Sequence, residues 1–356
     1  MLMIDWVTAK IPFHAKGHLA GGNVLCLNSD GETEWETLRL MPVMGSYDSR
    51  IAIKTSEVDE NGDTCQILLS GNPVKFLQGH NIFGTNDLIN LMLDTVEAIS
   101  SILGIEQPQS VTDAISWGSY KLSRIDINQM HSVGSRDNAL AFLANASQVA
   151  RTRHGTAITK GSTVYFNKSS RRWTVKQYYK HDEVMVNLAK NKSNWELPQT
   201  FRDWLAPMIR TELTLKSREL FDRNLQLARN WVNIDMIELF EDYLGRIVMA
   251  KQIKTEDLFV EIQKDSKPLA ATYQLWLHGH DVRNMLTKRT FYRQRKALLE
   301  YGVDISIPCP PDQVATHPDA PDRPVIELVP AVIPDWVYGT PYFYEPKKRG
   351  ICNRIH

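Results

Sequence analysis

Hydrophobic and polar positions alternate by twos through much of the first 216 residues, and the apolar spacing turns to threes and fours after them. Residues 4–13 predict a first strand, ended by Pro12. Residues 22–72 predict several more, with turns at 28–31 and 61–63. Residues 75–88 read as a loop with two glycines. Thr85 or Asn86 then caps a helix that runs to about Leu103 and stops at Gly104. Its apolar stripe is Leu88, Leu91, Met92, Val96 and Ile99. Residues 117–130 predict a strand with Tyr120, Leu122, Arg124, Asp126 and Asn128 on one face and Ile125 and Ile127 on the other. A helix follows at about 138–151.

Residues 162–181 predict a β-hairpin around a basic turn at 168–172. In its second strand Trp173, Val175, Gln177 and Tyr179 point one way, and Thr174, Lys176, Tyr178 and Lys180 the other. Met208–Lys216 alternates as cleanly: Ile209, Thr211, Leu213 and Leu215 form a buried face, Arg210, Glu212, Thr214 and Lys216 a polar one. The hairpin-like steps imply an α+β fold with a mainly antiparallel sheet over 1–217. From 218 to 304 the pattern is helical. A helix at 270–277, a break at Gly279, a short helix at 281–286 and a helix at 288–301 capped by Thr287 give the outline of a helix-turn-helix, with an ordinary helical hairpin as the plain alternative. Residues 305–356 hold ten of the seventeen prolines and several aromatics, and predict an extended tail lying on the body.

Charge changes this picture. The chain is neutral overall, with 41 basic and 41 acidic residues. Yet no acid lies between Asp137 and Asp182, where Arg171, Arg172, Lys176 and Lys180 fall, and none between Asp281 and Glu300, where Lys288, Arg289, Arg293, Arg295 and Lys296 fall. Two basic blocks in a neutral chain predict localised nucleic-acid contact, against the plainer reading of solvated faces. Four scattered cysteines read as free thiols of a reducing cytosol. No apolar run of membrane-spanning length is present, so no membrane partner is expected.

The polar strand faces carry Asp126, Glu212 and the Tyr178 phenol. Cleaving a phosphodiester with a tyrosine calls for a hydroxyl nucleophile, carboxylates for a divalent metal (Mg²⁺ or Mn²⁺), and cations around the phosphate. Asp126 and Glu212, with Asp5 as a third, are the candidate ligands. Arg124, Lys176, Lys180 and Arg210 are the candidate cations. Strand phase favours Tyr178 over Tyr165 and Tyr179. A salt-bridge ladder and a packing tyrosine are the ordinary alternatives. His278-Gly-His280 reads as a turn, His80 has no partner at metal-ligand spacing, and His181, directly after the tyrosine strand, is either a neighbour of the site or, more ordinarily, a surface histidine.

Several runs carry a resemblance. Met3-Ile-Asp-Trp6, Ile11-Pro-Phe13, Leu77-Gln-Gly-His-Asn81 with Phe83-Gly-Thr85, and Ser123-Arg-Ile-Asp126 resemble, in order, the gene II-type replication initiators of filamentous phages. So do Asn167, Ser170-Arg171, Tyr178 and Lys180-His181, then Arg210, Glu212, Lys216 and Arg218, then Phe291, Arg293, Ala297-Leu298 and Gly302, then Pro334-Asp-Trp336. The Ser-Arg-Ile-Asp block, the Tyr-x-Lys hairpin and the Arg-x-Glu strand are also similar to plasmid rolling-circle initiators. The resemblance implies a diverged nuclease sheet that nicks the plus strand at the origin, starts rolling-circle synthesis, then cuts and rejoins the circle. It implies Tyr178 as nucleophile and Asp126 and Glu212 as metal ligands. It implies double- and single-stranded phage DNA, a host helicase and the replication machinery as partners, in the host cytoplasm. The His-hydrophobe-His pair of related nucleases is missing from this sequence. A DNA-binding repressor or origin-marking protein without chemistry is the alternative; an adaptor acting through the tail is a weaker third.

Overall fold

The computed structural model describes residues 2–45, 49–152, 155–190, 197–247, 255–301 and 328–347, with residues 303, 305, 306, 309 and 349. The strands are β1 (Leu2–Ala15), β2 (Asn23–Leu27), β3 (Thr33–Leu38), β4 (Met41–Met44), β5 (Arg50–Val58), β6 (Thr64–Gly71), β7 (Lys121–Ser132), β8 (Arg151–Thr152), β9 (Gly155–Thr156), β10 (Ile158–Lys160), β11 (Thr163–Phe166), β12 (Trp173–Tyr179), β13 (Met208–Lys216) and β14 (Val329–Pro330). Ten of them form one sheet, in the order β10-β11-β12-β13-β7-β1-β6-β5-β4 with β14 beside β7, and every pairing is antiparallel.

The helices of the first half are α1 (Pro73–Gln78), α2 (Leu88–Leu103), α3 (Gln109–Ser116), α4 (Arg136–Val149), α5 (Lys180–Lys190), α6 (Gln199–Leu205) and α7 (Ser217–Asp222). Asp87, rather than Thr85 or Asn86, caps α2: its carboxylate accepts from the Asn90 amide at 3.1 Å, and Thr85 Oγ1 instead holds the Asp87 amide. The main core lies on one sheet face, where α2, α3 and α4 cover Ile11, Phe13, Ile125, Ile127, Val175 and Leu213. Truncating one of these side chains to alanine costs about 2–5 kcal/mol.

Two β-bulges decide which residues reach the other face. In β1, Ile4 pairs with Ile127 and Trp6 with Asp126, so Asp5 is an extra residue. The core phase of β1 switches there from Leu2 and Ile4 to Val7, Ala9, Ile11 and Phe13. In β7, Arg124 pairs with Thr8 and Leu122 with Ala9, so Ser123 is extra. Tyr120 and Leu122 therefore join Ile125 and Ile127 in the core, not Arg124 and Asp126 as simple alternation predicts. Nor does Pro12 end β1, which continues to Ala15. β7 leaves β1 at Lys10, so Pro12 has a strand neighbour on one side only.

The second half is helical, as predicted: α8 (Met236–Leu244), α9 (Thr255–Asp265), α10 (Lys267–Leu277), α11 (Val282–Met285) and α12 (Lys288–Glu300). Asp281 caps α11 and Thr287 caps α12, and Gly279 turns the chain at φ +80°. A separate core holds Ile262, Tyr273, Trp276, Phe291 and Leu298. The described part of the tail lies on the sheet body. β14 pairs with Ser132 and His131 beyond the start of β1, and Ile333, Val337, Tyr342 and Phe343 pack with Phe83 and Phe201.

Candidate functional site

The polar faces of β12 and β13 are not exposed, contrary to what a one-sided sheet would give. Every residue of Met208–Thr214 in β13 is buried. The loop after α1, the start of α5, α6 and the tail close over the far end of this face. Tyr178, Arg210, Glu212, Asp126, Asp5 and Lys180 are all enclosed there, with Arg210 and Lys180 wholly buried. These candidates come from five elements and from sequence positions 5 to 212, so only the fold assembles them.

The Tyr178 hydroxyl donates to Glu212 Oε1 in a short contact. Lys176, directly opposite Glu212 in the register, meets its other oxygen at 2.7 Å. Burial pushes the Tyr178 phenol well above its usual range, and the Glu212 charge adds to this. Burial also raises Glu212, with Asp5 reinforcing the shift. Burial lowers the affinity of Lys176 for its proton, but Glu212 outweighs it and the net shift is upward. Asp126 is clamped by Arg124 through two hydrogen bonds of 2.8 and 2.6 Å, and burial raises its pKa despite that partner.

Lys180 is the first residue of α5 rather than the end of a strand. Its ammonium donates to Asn81 Oδ1 at 2.9 Å and Glu183 Oε2 at 2.6 Å. Burial, with nearby Arg210, pulls its pKa down to about 8. The same Asn81 donates to Asp5 Oδ1 at 2.8 Å, and its carbonyl accepts from Arg210. Asn72, the α1 cap, donates to the same Asp5 oxygen at 2.8 Å, and Arg210 Nη1 lies 3.6 Å from it. Asn81, Asn72 and Glu183 were not singled out from sequence. Asn81 did stand in the 77–81 run, and that run was the available signal.

Asn128 was likewise missed as a site residue. It lies opposite Glu212 and two residues from Asp126, is wholly buried, and neither amide atom has a hydrogen-bond partner among the described residues. Among the described residues no three His, Cys, Asp or Glu side chains form a ready-made metal cluster. The donors here are hard oxygens instead: Asp126, Glu212 and the unmet Asn128 amide oxygen. That set fits Mg²⁺ or Mn²⁺ in kind and does not suit zinc. A cation entering would compete with Arg124 and Lys176 for the carboxylates.

The basic residues divide. Arg172 is taken by Glu219 at 2.7 Å and Asp222 at 2.6 Å, and Lys176 by Glu212. Arg171 is exposed. On α12, Lys288, Arg289, Arg293 and Lys296 are exposed and Arg295 half-buried, while Phe291 and Leu298 face the helical core. His278 and His280 are exposed in the turn after α10, and His80 is buried, its pKa lowered by that burial to about 3. Among the described residues no helix is long and apolar enough to cross a membrane.

Two family models match the chain: the N-terminal region of the phage replication-associated protein of gene II type over residues 3–234, and the C-terminal region of the same protein over 255–342. The chain is 36% identical over 334 residues to the replication-associated protein of Enterobacteria phage I2-2, covering 93% of this chain and 95% of that one. It is 29% identical over 155 residues to the replication-associated protein of Salmonella phage IKe, 42% of this chain and 35% of the relative. It is 25% identical over 215 residues to that of Enterobacteria phage M13, 55% and 49% of the two chains. A solved structure of a rolling circle replication initiator protein from Geobacillus stearothermophilus aligns over 72% of this chain and 89% of its own, at 13% identity and a TM-score of 0.33, too low to establish a common fold. The chain belongs to the gene II-type replication-associated protein family of filamentous phages.

Proposed function

We propose that this protein nicks and rejoins the plus strand of phage DNA at the replication origin, starting and ending rolling-circle synthesis, with the Tyr178 phenol as nucleophile. One observation carries the reading: the phenol donates to a buried carboxylate, Glu212, within a cluster that sets Lys176, Lys180 and Arg210 around it. As Tyr178 Oη attacks phosphorus, Glu212 takes the phenolic proton. The three cations face the charge that gathers on the non-bridging oxygens. A polymerase needs a free 3′-hydroxyl, so the P–O3′ bond breaks and the tyrosine keeps the 5′ phosphate. The departing O3′ needs a proton, and Lys180, with its pKa near 8, is acidic enough to supply one at neutral pH. In rejoining, the 3′-hydroxyl attacks the phosphotyrosine and returns its proton to the Lys180 amine, the P–Oη bond breaks, and the phenol recovers its proton from Glu212. Mg²⁺ or Mn²⁺ would polarise the phosphoryl group; Asp126, Glu212 and Asn128 would hold it, with Asp5 behind Arg210 as the third carboxylate of the pocket.

Residues 1–217 would supply this chemistry and 218–304 the origin recognition, with α12 presenting Lys288, Arg289, Arg293, Arg295 and Lys296 to the major groove as the second helix of a helix-turn-helix. Exposed Arg171 would add phosphate contact. A host helicase would open the duplex ahead of synthesis in the host cytoplasm. The exposed cations of α12 would by themselves also suit an origin-binding protein without chemistry. Conversion of supercoiled origin DNA to open circles separates the two readings. Tyr178→Phe reduces it to background while binding is kept; undiminished nicking removes Tyr178 as the nucleophile.

A further inference from the structure

The site sits where the covered half of its sheet face meets an open half. The open half carries Thr8 and Lys10 on β1, Lys121 and Arg124 on β7, Lys216 on β13, Thr174 and Lys176 on β12, all half-buried or exposed. On β1 and β7 the bulges place them, on the unbroken β12 and β13 simple alternation does, and each is out of phase with the core residues of its own strand. Two aromatic rings stand on this face, one on each side of the carboxylates. Trp6, opposite Asp126, is half-buried and carries the Arg124 guanidinium 5.3 Å from its ring centre. Tyr165, opposite Lys176, is half-buried and carries the Lys168 ammonium at 4.7 Å. Its neighbours Val164 and Phe166 are in the core, so Tyr165 is on the site face and takes no part in packing that core.

β11, β12, β13, β7 and β1 are consecutive neighbours. Four strand spacings put the two rings roughly 19 Å apart across the sheet, with the Tyr178–Glu212 pair between them. An aromatic face beside a cation is the pair that holds unpaired nucleic acid: the ring takes a base, the cation takes the adjoining phosphate. A duplex offers neither ring a free base face.

We infer that the strand to be cut crosses this face single-stranded, with one base stacked on Trp6 and another on Tyr165, and that these two rings set its position over Tyr178. The inference rests on the proposed reading of Tyr178 as the reacting group, but its test does not use the reaction. A fluorescein-labelled, mixed-sequence oligodeoxynucleotide is titrated with the full chain in EDTA, single-stranded and as a duplex, and anisotropy is read. Leucine keeps the bulk of each ring without its π face, so Trp6→Leu and Tyr165→Leu are compared with Trp6→Phe and Tyr165→Phe. Each leucine variant weakens single-strand binding about 5- to 150-fold, the range for one lost stack, while duplex binding stays at the wild-type value. The phenylalanine variants stay close to wild type. Leucine variants that bind single strands as the wild type does, or phenylalanine variants as weak as leucine, overturn the inference. Wild-type nicking by Tyr178→Phe would remove the reading of Tyr178 and leave these affinities standing.

Discussion

Asn81 is the joint that holds the pocket together, so its removal is the most informative perturbation. Its side chain bridges Lys180 and Asp5 at 2.9 and 2.8 Å. Both partners are buried, and Lys180 wholly so. A hydrogen bond to a charged group is worth about 1.5–3 kcal/mol, so Asn81→Ala removes about 3–6 kcal/mol before relaxation. Lys180 keeps Glu183, and Asp5 keeps Asn72 and the Arg210 ion pair, so the lower end applies. A loss of about 3 kcal/mol is a large part of the roughly 5–15 kcal/mol that holds a typical domain together. Urea unfolding monitored by tryptophan fluorescence gives this directly. Asn81→Asp sharpens the test. It keeps an acceptor for Lys180 and raises its pKa, yet sets a second carboxylate against Asp5. It is therefore destabilised as well, but the pH ceiling of nicking moves up for Asn81→Asp and down for Asn81→Ala. If Asn81→Ala unfolds within about 0.5 kcal/mol of wild type, the two contacts carry no net stability and the joint is not one.

Other consequences are as open to measurement. The Lys180 ammonium is needed in the proposed chemistry and its pKa is lowered to about 8, so nicking at saturating metal falls about tenfold per pH unit above that value; a flat profile to about pH 10 removes Lys180 from the reaction. Asp126→Asn, Glu212→Gln and Asn128→Leu each weaken Mn²⁺ binding at least about tenfold by calorimetry, whereas Lys176→Met, which frees Glu212, strengthens it; no change in any of them leaves the carboxylates as salt-bridge partners only. Gly118 has φ +62°, and a Cβ there would meet the Arg229 backbone nitrogen at 2.5 Å, so Gly118→Ala lowers stability by about 2 kcal/mol or more in the same urea assay. Burial holds His80 neutral, its pKa about 3 against 6.5 in the unfolded chain. The unfolded state then binds the extra proton, stability is lost as pH falls from about 6.5 toward 3, and His80→Gln shallows that part of the acid-unfolding curve.

What the sequence made legible was whatever simple alternation governs. β12 and β13 are unbroken, so the phase that set Tyr178, Lys176, Arg210 and Glu212 on one face held residue for residue. β1 and β7 are broken by bulges, and there alternation failed. Tyr120 and Leu122 went to the core, and Asp5 and Trp6, adjacent in sequence, came to the same side. A bulge depends on the partner strand's register, and one strand's own pattern does not carry that. The apolar rhythm of β1 did record the slip, in Ile4 followed by Val7, Ala9 and Ile11. Asn81 was hidden for a different reason. A polar residue in a loop reads as solvated, and its role arises from contacts to residues 5, 180 and 210, far off in the chain.

A polar strand face that is covered over half its length needs a physical reason. Alternation alone would leave it to water, yet at the site it is covered, with Arg124, Lys176 and Glu183 part-exposed at the rim, and its charges balance: Asp5, Asp126, Glu183 and Glu212 against Arg124, Lys176, Lys180 and Arg210. A buried cluster survives only when each ion has a partner, and replacing such a cluster with apolar residues of similar size is often neutral or stabilising. Stability alone therefore gives no reason to gather these charges and leave Asn128 beside them without a hydrogen-bond partner among the described residues. A site that must receive a phosphate and a divalent cation gives one. The phosphate offers acceptors to the cations and to the Asn128 amide nitrogen, and the metal offers charge to the carboxylates that lose their partners. Each ligand thus makes good the imbalance created by the other.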